Sequence, residues 1–182
     1  MQVKLFEPSI ALESAIFLDL DANAYSLRGR YDVSELAIIV AASLANWLIT
    51  VRQAAGLFTN GGDPSLDEQP PPPLPPRRGR GHLLRILETL ARVKATETFP
   101  ITQLLHQHTE HLSWGTSLVV ITNQFDDALF DGLFEARRGG LNAFLIQCGP
   151  SAGFDEVRRK AQFFGYPIHQ VLDERDLDIW RQ

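Results

Sequence analysis

The chain has 182 residues, of which 45% are hydrophobic and 21% are charged, and its formal net charge is −5. These values are typical of one globular domain, and they exclude a disordered chain, a collagen-like fibre and a disulfide-stapled miniprotein. The acidic balance gives no support to nucleic-acid binding, and the single cysteine, Cys148, excludes an intramolecular disulfide and a multi-cysteine zinc site.

The first part of the chain predicts short strands and one long apolar helix. Residues 3–6 and residues 14–20 are apolar segments of strand length. Asp32 and Glu35 have the spacing of a capping box, and the helix that they open is expected to run to about Gln53. This helix is apolar on nearly all sides, so we expect the sheet and neighbouring elements to cover it.

The longest uncharged run lies inside that helix, at residues 36–51. Its 16 residues are fewer than the roughly 20 that a membrane-spanning helix needs. A buried helix is therefore the favoured interpretation, and we expect no membrane contact by this chain. Because a strand already begins at the third residue, we also expect that residues 1–182 are a single domain cut from a longer protein at a domain boundary.

The middle of the chain combines a strand, a proline-rich loop and two helices. Residues 54–60 have strand length, and residues 62–80 are expected to be loop and polyproline-II material, with six of the 11 prolines between Pro70 and Pro76. Residues 82–93 have helical spacing, and a further helix is expected to begin near Pro100.

The second half alternates strands with helices. Strands are predicted at residues 117–122, 142–148 and 166–172, with helices opening at Asp126 or Asp127 and covering residues 154–164. Continuous apolar strands between helices predict an α/β fold with three layers and a doubly wound, mostly parallel, Rossmann-like sheet. In such sheets ligands bind outside the carboxyl ends of the strands.

Oxygen-bearing side chains follow two of these strands, so this edge is a candidate metal site. Alternate positions in a loop can all point to one centre, and Mg²⁺ prefers such oxygen ligands. The predicted metal ligands are Asp19, Asp21, Asn23, Thr98 and Asn123. The alternative is an acidic strand end that caps helices and stays solvated.

A basic segment is the second candidate site. Residues 77–94 contain six basic side chains and one acid, in a chain that is acidic overall. Arg77, Arg78 and Arg80 are the predicted partner-binding residues, for an anion or an acidic protein surface. A solvated basic face is the alternative. The adjoining prolines could dock on an aromatic groove, but a semi-rigid surface linker is favoured.

Five segments together resemble a bacterial family. They are VKLFEP, AIFLDLD, ELAIIVAASLANWLITVRQAAGLFTNG, LPPRRGRGHLLRILETLARV and SLVVIT. They are similar to the C-terminal half of the domain-of-unknown-function family fifty-eight, the MoxR-associated family with a von Willebrand factor A-like domain. The resemblance implies a six-stranded sheet of that type, whose short edge strand would fall at the proline cluster. It also implies membrane-spanning helices N-terminal to the domain, and a role with MoxR-type AAA+ ATPases in protein maturation or assembly.

The resemblance also implies a metal-ion-dependent adhesion site, whose pattern is DxSxS, a later Thr and a later Asp. Asp19 matches the first Asp, Asp21 and Asn23 replace both Ser, Thr98 is the candidate Thr, and Asn123 replaces the later Asp. The site would be degenerate, with Mg²⁺ or Mn²⁺ as the expected ion.

We therefore expect a non-catalytic interaction module that works with a MoxR-type AAA+ ATPase. It would be a cytoplasmic domain that is membrane-anchored in the full-length protein. The alternative is a metal-dependent hydrolase that uses Asp19, Asp21 and Asp126.

Overall fold

The computed structural model describes residues 13–26, 29–151 and 153–180. The strand expected at residues 3–6 lies outside them. Six strands form one sheet in the order β3-β2-β1-β4-β5-β6, and all neighbours are parallel except β3, which pairs antiparallel with β2. The strands are β1 (Glu13–Leu18), β2 (Ala54–Thr59), β3 (Leu74–Arg77), β4 (Ser117–Ile121), β5 (Asn142–Cys148) and β6 (Ile168–Val171).

Helices cover both faces of this sheet, which confirms the predicted three-layer α/β class. They are α1 (Arg30–Thr50), α2 (Arg80–Leu90), α3 (Ile101–Thr109), α4 (Asp127–Arg138) and α5 (Phe154–Phe164). Successive strand residues point to opposite faces. Accordingly, Ile16 and Leu18 of β1 pack with α1 and α2, whereas Phe17 packs with α3 and α4. Burial on both faces explains why the strands are continuous apolar runs rather than alternating ones.

Helix α1 packs against the sheet as predicted, but it begins differently. Gly29, in the left-handed conformation with φ 82°, precedes it, and Asp32 falls inside its first turn. The expected capping-box start is therefore wrong, because the N-cap residue of α1 is Gly29 and not Asp32. Of the helices in the described part of the chain, α1 alone is long and apolar enough to span a membrane, and half of its most apolar window is buried in this fold.

Part of the segment expected to be loop forms the edge strand β3. Leu74 pairs with Leu57 and Arg77 pairs with Ala55, with an irregular register between them. Pro75 and Pro76 lie within β3, and proline is tolerated at a sheet edge because no second neighbour needs its amide donor. The close approach of β3 requires Gly56, since a Cβ atom there would lie 2.7 Å from the backbone nitrogen of Pro76.

Candidate functional site

Three buried polar side chains meet where the central strands end. Asp19 follows β1, Asn60 follows β2, and Thr122 follows β4, and each is at most 1% exposed. The Asn60 Nδ2 donates to Asp19 Oδ1 at 2.9 Å, and the Thr122 hydroxyl donates to Asp19 Oδ2 at 2.7 Å. We call these residues the carboxyl-end network. It joins the three central strands through one carboxylate.

Asn60 connects the network to two further segments of the chain. Its Oδ1 accepts from the Leu20 amide at 2.7 Å, and its Nδ2 also donates to the Phe99 carbonyl at 2.8 Å. The side chain thus ties β2 to the residue after β1 and to the loop before α3. Neither Asn60 nor Thr122 was among the predicted site residues. The signal that could have found them is their position, since each is the last residue of a predicted strand.

Asp21, Asn23 and Thr98, three of the predicted metal ligands, lie together beside this network. Asp21 Oδ1 accepts from the backbone amide and the side-chain Nδ2 of Asn23, at 3.2 and 3.1 Å. It also lies 3.4 Å from the Thr98 amide, which donates to it. The Asp21 amide in turn donates to Asp19 Oδ1 at 3.1 Å. Four of the five predicted ligands are therefore neighbours.

Asn123, the fifth predicted ligand, hydrogen-bonds to the end of β5 and not to Asp19 or Asp21. Its Nδ2 donates to the Cys148 carbonyl at 2.7 Å, and its Oδ1 accepts from the Cys148 amide at 3.0 Å. Thr122 already bonds Asp19, and successive residues leaving a strand point to opposite sides. Asn123 therefore ties β4 to the end of β5.

Asp126, the acid of the hydrolase alternative, begins a helix. Its Oδ1 accepts from the Leu129 amide at 2.9 Å, so it is the N-cap of α4. Its Oδ2 accepts from Gln124 Nε2 at 3.1 Å. The sequence left open whether this acid caps a helix, and in the fold it caps α4.

The electrostatics of Asp19 follow from its burial. Burial raises the pKa of the Asp19 carboxyl, because charge is costly away from water, and the hydrogen bonds from Asn60, Thr122 and the Asp21 amide oppose this shift. Burial also raises the pKa of the Tyr25 hydroxyl well above its ordinary value. That hydroxyl donates to the Asp19 backbone carbonyl.

Two of the five predicted metal ligands already use their polar side-chain atoms in hydrogen bonds within the chain. Both Asp19 oxygens and both polar atoms of the Asn123 amide are taken up by hydrogen bonds within the chain. In the described ranges, no group of three or more His, Cys, Asp and Glu side chains could hold a metal ion. An ion bound through Asp19 and Asn123 would have to displace some of these hydrogen bonds.

The predicted partner-binding arginines lie at the opposite edge of the sheet. Arg77 ends β3, Arg78 is in the following turn and Arg80 begins α2, and all three are exposed. Arg92 and Lys94, which belong to the same basic segment, lie near the carboxyl-end edge and are paired there, with Asp63 at 3.0 Å and Glu68 at 2.9 Å. The basic segment is thus divided between the two edges.

No family model matches the sequence, and no curated protein matches it. Solved structures do match the fold. A von Willebrand factor type A protein from Catenulispora acidiphila aligns with a TM-score of 0.60 and 13% identity, over 92% of this chain and 40% of that one. The chain has a von Willebrand factor A fold.

Two further structures support this fold over nearly their whole length. An aerotolerance-related membrane protein from Bacteroides fragilis aligns with a TM-score of 0.62 and 12% identity, over 93% of this chain and 95% of that one. The SpRpn10 VWA domain aligns with a TM-score of 0.53 and 15% identity, over 94% of this chain and 94% of that one. By contrast, the chain spans 29% of the pilus adhesin SpaC from Lactobacillus rhamnosus GG. At these identities the likeness shows the fold alone.

Proposed function

We propose that this von Willebrand A-fold chain is a non-catalytic protein-interaction module of the MoxR-associated family fifty-eight. In this proposal it works with a MoxR-type AAA+ ATPase in the maturation or assembly of other proteins. It would do so as the cytoplasmic domain of a membrane-anchored protein. The resemblance in sequence suggests the partner and the anchor, and the fold is compatible with both.

The carboxyl-end network is the observation that carries the interaction role. Asp19, a buried acid at this edge, is bonded through both oxygens to groups of its own chain. A general base needs a lone pair aimed at a substrate proton, whereas here the lone pairs hold three strands together. The network therefore favours a rigid, preformed edge on which the exposed loops are displayed.

The exposed loops of this edge are acidic, which suits recognition of a basic partner surface. Glu97 lies in the loop before α3, and Asp155 and Glu156 lie in the first turn of α5, and all three are exposed. Charge complementarity of this kind raises association rates and selects partners. We therefore place the proposed ATPase contact at the carboxyl-end edge.

A binding assay with charge-reversed variants tests this proposal. Binding of a purified MoxR-type ATPase from the source organism, loaded with ATP, is measured by biolayer interferometry. Glu97→Lys with Asp155→Lys should weaken binding at least about tenfold, mainly through the association rate. Glu110→Lys with Asp131→Lys is the matched control, because both residues are exposed and neither lies on the carboxyl-end edge.

Two results would contradict the proposal. One is an equal loss of binding in both double variants, since the contact would then be a general charge effect. The other is Mg²⁺-dependent turnover of phosphoesters that Asp19→Ala abolishes without unfolding the chain. That turnover would favour the hydrolase that uses Asp19, Asp21 and Asp126.

A further inference from the structure

The edge of the sheet opposite the carboxyl-end network has a distinct composition. The connections that lead from a helix into β2, β4, β5 and β6 all lie at this edge, because these strands are parallel and begin here. Strand β3 ends here, because it runs antiparallel to β2. We call it the amino-end edge. It consists of residues 50–53, 77–81, 109–116, 137–141 and 163–167 together with Glu13.

Exposed arginines dominate the charge of the amino-end edge. They are Arg52, Arg77, Arg78, Arg80, Arg137 and Arg138. Among the residues that the structure describes, the acids on or next to this edge are Glu13, Glu110 and Glu135. The edge is therefore basic although the chain as a whole has a formal charge of −5.

Three of these arginines are placed against the preference of the helix that they adjoin. Arg80 is the first residue of α2, Arg77 and Arg78 precede it closely, and the first turn of α2 contains no acid. The amino terminus of a helix carries partial positive charge, so cations there are unfavourable. Helix stability thus does not account for Arg77, Arg78 and Arg80.

The same edge exposes aromatic side chains. Phe163 is 85% exposed and Trp114 is 80% exposed, which makes them the most exposed large hydrophobic residues in the part of the chain that the structure describes. The Trp114 ring lies against Gly140, where an added Cβ atom would come within 2.0 Å of its Cδ1 atom. The ring is therefore supported on one side and open to its surroundings on the others.

We propose that the amino-end edge binds the surface of an anionic phospholipid bilayer. Arginine forms strong hydrogen bonds with phosphate, and clustered basic groups are attracted to anionic lipid surfaces. Tryptophan is enriched at the headgroup level of membranes, where its ring is partly apolar and partly polar. Basic and aromatic groups on one edge supply both kinds of contact.

This contact differs from the one that the sequence argued against. The expectation of no membrane contact concerned a spanning helix, and α1 is half buried in the fold. A surface contact needs no spanning helix. The proposal gives the predicted partner-binding arginines a lipid surface as their partner, and it does not depend on the ATPase proposal.

Vesicle binding of the whole chain tests the inference. Partition is measured by co-sedimentation with phosphatidylcholine vesicles and with vesicles that also contain phosphatidylglycerol. The chain should bind only the anionic vesicles, more weakly as salt increases. Arg77→Glu with Arg78→Glu should reduce partition at least about twenty-five-fold, because each basic group lost near such a surface costs roughly fivefold.

Arg158→Glu with Arg159→Glu is the matched control. These exposed residues lie in the middle of α5, and the change in net charge is the same. Their variant should keep partition within about threefold of the parent, because distant exposed charges are screened. A loss equal to that of the Arg77/Arg78 variant would overturn the proposal.

Fluorescence adds a test of the geometry. Brominated phospholipids should quench the emission of Trp114, and the quenched component should disappear in Trp114→Phe, which keeps Trp47 and Trp180. Binding without quenching of Trp114 would show that another surface faces the lipid. If the chain does not bind anionic vesicles but binds polyglutamate through Arg77 and Arg78, the partner of the amino-end edge is an acidic protein and the proposal is wrong.

Discussion

Replacing Asn60 by alanine should be among the most destabilising changes at the carboxyl-end edge. The substitution removes three hydrogen bonds, to the Leu20 amide, the Phe99 carbonyl and Asp19 Oδ1. Asn60 is 0% exposed, so water does not readily replace them. A buried group left unpaired costs about 1–3 kcal/mol. Allowing for relaxation, we expect Asn60→Ala to lower the free energy of unfolding by about 3–5 kcal/mol.

Urea unfolding followed by circular dichroism measures this loss. Asn23→Ala is the matched control, because Asn23 is exposed and its Nδ2 makes a single side-chain bond, to Asp21. Its loss should stay below about 1 kcal/mol. If Asn60→Ala costs less than about 1 kcal/mol, the network does not hold the strand ends together and the argument for a rigid edge fails.

Three further changes test other parts of the structure. Burial raises the pKa of the Asp19 carboxyl, so the folded state binds that proton more tightly than the unfolded state. The free energy of unfolding should then fall as pH rises from about 4 through the raised pKa, and Asp19→Asn should flatten this fall in urea titrations. Gly56→Ala should destabilise the chain by about 1–3 kcal/mol, because the added Cβ atom would collide with β3. Gly132→Ala in α4 is the contrasting change, since no atom lies near its added Cβ atom, and it should stabilise the chain by about 1 kcal/mol in the same urea assay. Cys148 is buried and its thiol pKa is raised to about 12, so a thiol reagent should label it only after unfolding.

The regular elements of the second half could be predicted because their patterns are local. Strand β5 and helix α5 have the predicted bounds, at residues 142–148 and 154–164. Strand β3 could not be predicted in the same way. Its prolines favour a loop, and its pairing depends on the space that Gly56 leaves beside it.

The place of Asp19 in the fold could be predicted, but its hydrogen-bond partners could not. Asp19 directly follows a predicted strand, and placing it at the carboxyl-end edge needs only the fold class. Its neighbours depend on register: Leu18 pairs with Thr59 and with Ile121, so the next residues along, Asn60 and Thr122, come beside Asp19.

Asn123 shows the limit of reasoning from spacing alone. A shift of one residue moves a side chain to the opposite side of a strand end. Thr122 therefore contacts Asp19, and Asn123 contacts Cys148. The motif pattern treats position 123 as part of the metal site, whereas the register turns its amide toward β5.

Arg80→Glu separates the stability of the amino-end edge from its proposed lipid contact. An acid at the first position of α2 would interact favourably with the helix amino terminus, so the free energy of unfolding should rise by about 0.3–1 kcal/mol. Binding to anionic vesicles should nevertheless weaken, because a basic group becomes acidic. If Arg80 is only solvated and does not contact lipid, the free energy of unfolding should rise but binding to anionic vesicles should not change. A variant that is more stable and equally well bound to lipid would therefore remove Arg80 from the contact. One that loses both stability and binding would contradict the assignment of Arg80 to an unfavourable helix position.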